Sequence, residues 1–222
     1  MSDDRPTFRT LITHFGDFLT VAIHTILYER NIYPQTSFLS ARKYNFTVRQ
    51  SRHPKVCEWV NDAVAALENE LRKGIVERIA VVIYSKELKP VERFVFDTSR
   101  LPVVTAGDVD IPLERNGPNG EKVLVLPHVD MEEQFRATIS KLANCGSVLK
   151  PAPAGSTFTV SLELKTEGQG PVSHPQPWIP VQPAQYEQEP IQKPHTSTRA
   201  LRTVSAGDMV FESWIEQVAD MG

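Results

Sequence analysis

Six histidines, two cysteines and the carboxylates of the stretch Asp130-Met131-Glu132-Glu133 are the side chains here with the chemistry for metal binding, nucleophilic attack or proton transfer. Their spacing supports none of the three. His14, His24, His53, His128, His174 and His195 form no HxxxH or HxH pair, so no metal ligand set can be read from them. His24 falls within an apolar helical pattern and reads as a satisfied helix histidine. Cys57 and Cys145 lie far apart with no CxxC spacing, which fits two free thiols in a reducing compartment. Neither has the context of a nucleophile. Asp130 and Glu133 have the spacing of a helix capping box, which explains both without acid–base chemistry. The stretch Gly117-Pro118-Asn119-Gly120-Glu121-Lys122 lacks the GxxxxGK[ST] order of a phosphate loop and reads as turn chemistry. No GxSxG elbow and no dinucleotide fingerprint occur. A hydrolase built on His128 and Asp130 would need a cysteine beside them, which nothing in the spacing supplies. The expectation is a protein that is not an enzyme and that uses neither cofactor nor metal.

The elements that would carry any site follow from patterning. With 222 residues, 41% of them hydrophobic, the chain can bury a sizeable core. Lys and Arg number 24 against 27 Asp and Glu, a net charge of −3, so a sequence-independent grip on nucleic acid phosphates is not expected. The N-terminal MSDDRPTFRT has no apolar h-region, and unbroken apolar runs stay short. No membrane span or secretory signal is therefore expected, and the compartment is cytosol or nucleus.

The segment from Glu77 to Ser99 organises the rest. Ile79 to Tyr84 is apolar at nearly every position, as in a strand covered on both faces, and Val91 to Phe96 alternates with Phe94 and Phe96 inward. Together they predict an antiparallel hairpin. Phe8, Leu11, Ile12, Phe15, Leu19, Ala22, Ile23, Ile26 and Leu27 mark a broad helical face between Thr7 and Asn31, ended by Tyr33-Pro34. Lys43 to Arg49 alternates like a single strand. A second helix follows Ser51, with Pro54 in its first turn, a stripe of Val56, Val60, Ala63, Leu67 and Leu71, and a stop at Lys73-Gly74. Leu101 to Pro127 is rich in Gly and Pro and reads as a long loop. Asp130 opens a third helix, which ends at Cys145-Gly146.

Thr157 to Lys165 alternates cleanly, with Phe158, Val160, Leu162 and Leu164 inward. Nine of the seventeen prolines then fall between Pro151 and Pro194, a composition typical of linkers. Trp178-Ile179 sits inside this segment, however, and large apolar residues return with Val210, Phe211, Trp214, Ile215 and Val218. A segment that leaves the core and comes back with anchors behaves as a strap. An extended peptide can add to an exposed strand edge, and a strap across it would slow its escape. A disordered linker to a C-terminal docking element is the other reading.

The blocks Ala22 to Pro34 (AIHTILYERNIYP), Lys43 to Asn45, His53-Pro54, Lys89 to Asp97 (KPVERFVFD), Gly155 to Val160 (GSTFTV) and Pro177 to Pro180 (PWIP) occur in this order in one known family. Over residues 7 to 216 the chain resembles the HORMA-domain accessory subunits of the translesion DNA polymerase zeta, relatives of the spindle-checkpoint HORMA protein. The resemblance implies an α+β, HORMA-like fold with three helices on a largely antiparallel sheet. Residues 1–150 would form the core, and residues 151–222 the C-terminal strand and safety belt of the same domain.

It also implies a non-catalytic adaptor in DNA damage tolerance. Such a subunit clasps a Pro-containing peptide of the polymerase zeta catalytic subunit under the belt and bridges to other translesion factors in the nucleus. On the matching positions Trp59, Trp178 and Ile179 would contact the peptide, with ordinary core packing as the other reading of the two tryptophans. The family's hydrophobic residue two places after the belt tryptophan is Pro180 here. Arg136 falls on an arginine of the surface used for HORMA homodimers and other partners, and would otherwise simply be solvated; other positions of that surface are Asn31 and Ser40 here. Glu212 and Trp214 fall on belt positions that meet the C-terminal domain of the inserter polymerase, where a neighbouring leucine is Thr198 here. An ATP-driven HORMA remodeller is a further implied partner. A checkpoint or meiotic-axis HORMA adaptor with a different closure peptide is the alternative within the family.

Overall fold

A computed structural model describes residues 6–105, 107–113, 115–116, 118–119, 121–123, 127–165 and 196–218. The Thr7 hydroxyl accepts the Thr10 amide at 3.2 Å and starts α1 (Phe8–Glu29). This 22-residue helix is long and apolar enough to cross a bilayer, but its apolar side chains lie in the protein core. Phe8, Leu11, Ile12, Phe15, Phe18 and Ile26 are all 1% exposed or less. Asn31, in the left-handed region at φ 51°, turns the chain out of the helix before Pro34.

The alternating run at 43–49 is a hairpin rather than one strand. β1 (Phe38–Lys43) and β2 (Phe46–Ser51) pair antiparallel, with Lys43 opposite Phe46. Tyr44 and Asn45 between them both take positive φ, 52° and 53°, the geometry of a tight two-residue turn. Without a glycine there, the alternation of side chains hides the reversal. α2 (Pro54–Arg72) has proline at its first position and stops at Gly74, whose φ of +71° is strained for any other residue.

β3 (Val76–Tyr84) lies in the middle, buried continuously from Ile79 to Ile83. It pairs antiparallel with β4 (Pro90–Asp97) on one side and with the later strand β7 (Thr157–Leu164) on the other. Two-residue strands β5 (Arg115–Asn116) and β6 (Lys122–Val123) interrupt the long loop after β4. This loop is pinned to the start of α1: Pro112 bridges Thr7, and Asp110 pairs with Arg9.

α3 (His128–Leu142) begins three residues earlier than the capping-box reading requires, with Pro127 at the N-cap. Asp130 is therefore inside the first turn, where a carboxylate still complements the helix dipole. A one-turn helix, α4 (Cys145–Val148), follows. The C-terminal hairpin, β8 (Thr196–Ala206) and β9 (Met209–Val218), completes an antiparallel sheet in the order β7-β3-β4-β9-β8.

α1, α2 and α3 cover one face of the sheet. There Phe18 stacks on Phe135 at 4.7 Å and meets Phe96 and Phe211 at 5.8 and 5.3 Å. Each such fully buried ring is worth about 1.5–3 kcal/mol in transfer free energy. One ion pair lies within the core. Arg30 Nε donates to Glu92 Oε2 at 2.8 Å, a second guanidinium nitrogen reaches Oε1 and the Lys150 carbonyl, and Gln217 Nε2 donates to Oε1 at 3.1 Å. The group ties the end of α1 to β4 and to the last turn of the chain into the sheet.

Candidate functional site

The chain leaves the five-stranded sheet at Leu164 on one edge and rejoins it with β8 on the opposite edge. The two edges differ in chemistry.

On the β8 side the ladder is broken by a bulge between Ala200 and Arg202. The carbonyl of the extra residue, Leu201, accepts a hydrogen bond from Lys141 Nζ of α3 at 2.6 Å. The Arg202 guanidinium is held by Gln134 Oε1 at 2.8 Å, also from α3. A bulge on an edge is a device that hinders another strand from adding, and Lys141 takes up one carbonyl there.

On the β7 side nothing comparable occurs among the described residues. β7 pairs only with β3, and apart from buried Val160 its residues from Phe158 to Leu164 are half-buried. Alternate backbone amides and carbonyls there point to the open side, the arrangement that accepts an added strand. Beside this edge stands an aromatic group. Trp59 of α2 meets the Phe158 ring edge-on at 4.9 Å, and Tyr33 meets Phe158 from elsewhere at 6.4 Å. All three rings are half-buried, so part of each remains exposed beside the edge. α2 places Trp59 here because Val60, Ala63 and Leu67 bury the neighbouring stripe of that helix.

The other candidate residues sit elsewhere. Trp178 and Ile179 lie outside the described residues. Arg136 is on α3, 3.6 Å from Glu133 one turn earlier. Glu212 and Trp214 are both on β9, directed to the sheet face that the helices leave uncovered. Trp214 Nε1 donates to Glu216 Oε1 at 2.8 Å, and Glu212 faces Arg100 at 3.5 Å. The structure thus brings Trp59 to the open edge and keeps Arg136 and the Glu212/Trp214 pair apart from it. Phe158 and Tyr33 were not legible as groove walls: Phe158 reads as an inward strand residue, and Tyr33 as part of a helix stop.

The thiols and His128 do not form a hydrolytic centre. Cys57 Sγ is bonded to the Ser51 carbonyl, and burial pushes the Cys145 thiol up to about 12, the opposite of nucleophile activation. His128 instead packs edge-on against His14 at 5.2 Å, with Glu132 at 3.9 Å.

A family profile described as HORMA domain matches residues 13–210. The chain belongs to the HORMA domain family. Among individual relatives, the DNA polymerase zeta processivity subunit of Schizosaccharomyces pombe is 35% identical over 204 residues, 91% of each chain. The Arabidopsis thaliana protein of the same name is 30% identical, over 84% of this chain and 77% of that one. The human mitotic spindle assembly checkpoint protein MAD2B is 36% identical over 149 residues, 67% of this chain and 63% of that protein. In shape, this HORMA domain matches a chain of a mitotic checkpoint complex crystal structure with a TM-score of 0.68 at 17% identity, covering 94% of this chain and 99% of that one. C. elegans HTP-2 bound to the HIM-3 closure motif matches with a TM-score of 0.60 at 11% identity, over 96% of this chain and 92% of that one. The HORMA fold and a non-catalytic adaptor family replace any catalytic reading of the carboxylates and thiols.

Proposed function

We propose that this chain is the adaptor subunit of a translesion DNA polymerase zeta. It takes a Pro-containing peptide of the catalytic subunit as an added strand on β7 and clasps it under its safety belt. The contrast between the two sheet edges carries this reading: among the described residues β7 has a free side flanked by Trp59, Phe158 and Tyr33, whereas β8 carries a bulge whose carbonyl is taken up by Lys141. Peptide prolines stack well on aromatic faces, and a strand bonded on one side only tolerates proline where its missing N–H would point to solvent. Trp178 and Ile179 are assigned, with Trp59, to contact with the peptide.

Glu212 and Trp214 are assigned to a second partner, the inserter polymerase C-terminal domain. Arg136 is assigned to self-association or a partner surface, an ATP-driven remodeller is a further partner, and the compartment is the nucleus. A checkpoint or meiotic-axis closure peptide is the competing occupant of the same edge. The 35% identity across 91% of both chains with a polymerase zeta processivity subunit favours the first assignment.

The test is a calorimetric titration of the purified chain with Pro-containing fragments of a polymerase zeta catalytic subunit and, in parallel, with checkpoint and meiotic closure peptides. Tight binding of the former, weakened at least about thirtyfold by Trp59→Ala or Trp178→Ala, a hot-spot loss, is the expected outcome. Preference for the latter reassigns the partner, and binding indifferent to both tryptophans removes them from the site.

A further inference from the structure

The sheet face that the helices leave uncovered carries an ordered set of charges, and it ends at the open edge. Glu163 of β7 stands opposite Arg78 of β3, which stands opposite Asp97 of β4. The contacts follow that row: Arg78 Nη1 lies 3.2 Å from Glu163 Oε2, and Arg78 Nε lies 3.2 Å from Asp97 Oδ2. A diagonal member ties the rows together, since Arg93 of β4 reaches Glu163 Oε1 at 2.5 Å and Glu216 of β9 at 3.2 Å. Arg78 also faces its neighbour Glu77 at 3.3 Å. Two guanidiniums thus serve four carboxylates, Glu77, Asp97, Glu163 and Glu216, and the group keeps two negative charges. Glu163 is the member on the open strand, with its side chain 39% exposed and two acceptor sites still unused by the two arginines.

A strand added along β7 would place a side chain of its own directly opposite Glu163, on the same face and within about 5.5 Å. The row runs carboxylate, guanidinium, carboxylate from β4 to β7, so the place beyond Glu163 calls for a cation. A carboxylate there would sit beside a face already in negative excess. We propose that Glu163 determines specificity for the captured peptide by selecting a lysine or arginine in register with it, on the side of the peptide facing away from Trp59 and Phe158. The inference rests on the reading of β7 as the capturing strand and adds a charge requirement to it. The peptide is then two-sided: apolar residues and proline lie toward Trp59, and a basic residue lies toward Glu163.

Overlapping synthetic fragments of the polymerase zeta catalytic subunit are titrated into the full chain, and the tightest binder is remade with each Lys or Arg changed singly to Glu. Wild type, Glu163→Gln and Glu163→Lys are compared, with circular dichroism confirming that each variant folds. One basic position is expected whose change to Glu weakens binding to wild type by roughly three- to tenfold at low salt, the range for a partly exposed pair made into a like-charge contact. Glu163→Lys should weaken the parent fragment by a similar factor and recover the loss with the Glu-bearing fragment. Glu163→Gln should abolish the dependence on that position. Equal losses in wild type and Glu163→Gln at every basic position would overturn the proposal while leaving the clasp intact. No fragment bound to wild type would overturn the β7 reading itself.

Discussion

Lys141 Nζ of α3 donates to the Leu201 carbonyl of β8 at 2.6 Å, and this bond sits at the bulge that shifts the register of the β8–β9 ladder. The contact makes the two edges differ: at β8 a helix lysine takes up one backbone carbonyl, whereas among the described residues β7 has no such contact. Lys141→Ala is predicted to cost about 1 kcal/mol of stability, the net worth of one hydrogen bond. It should also expose the β8 edge to pairing. Urea unfolding gives the first quantity, and concentration-dependent light scattering the second. Peptide affinity at β7 should not change.

Trp59 and Phe158 are half-buried and touch each other, so their roles separate by comparing stability with binding. Phe158→Ala removes a core-side residue of β7 and should cost about 3 kcal/mol of stability. Trp59→Ala should lose at least about 2 kcal/mol of peptide affinity, a loss that Phe158's core-side role does not require. If Trp59→Ala destabilises the free chain as much as Phe158→Ala and leaves affinity unchanged, Trp59 is a core residue only.

The Arg30–Glu92 pair is 2% and 4% exposed and is completed by Gln217 and the Lys150 carbonyl. Glu92→Ala strands a buried guanidinium and is predicted to destabilise by about 3–5 kcal/mol in urea unfolding. The double change Arg30→Met with Glu92→Leu should cost markedly less than Glu92→Ala alone, because no unpaired charge remains.

Burial pulls the His24 imidazole down to about 4 from its ordinary 6.5, and its Nδ1 has no hydrogen-bond partner among the described residues. The unfolded chain therefore takes up a proton as pH falls through 6.5, whereas the folded chain does so only near 4. This contribution to stability is complete above pH 6.5, declines between 6.5 and 4, and is flat below, for a total loss of about 3 kcal/mol. His24→Gln should remove that share of the slope when urea midpoints are compared from pH 7 to 4. Parallel curves for the two proteins would show that His24 titrates normally.

Patterning made α1, α2, β4 and β7 legible because each buries one face against the helix–sheet core, and the apolar run at β3 because it buries both. The reversal at Tyr44-Asn45 was hidden: two non-glycine residues take the left-handed turn, and the strand alternation continues through it. The start of α3 was misplaced because Pro127 serves as N-cap without the side-chain acceptor that usually marks one. For the candidate site, Trp59 was reached by resemblance, but its partner Phe158 lies about a hundred residues away, and only the sheet order brings them together. The same nonlocality kept the difference between the two edges out of reach. It depends on β8 docking beyond β9 and on Lys141 reaching Leu201, and neither leaves a local pattern.

The most direct measurement is amide hydrogen exchange on the full chain, with and without a bound Pro-containing fragment of a polymerase zeta catalytic subunit. The account predicts new protection at alternate amides of β7, residues 157–164, and none along β8, residues 196–206. Protection that appears on β8 or on the helices while β7 exchanges as before would contradict the assignment of β7 as the strand that captures the peptide.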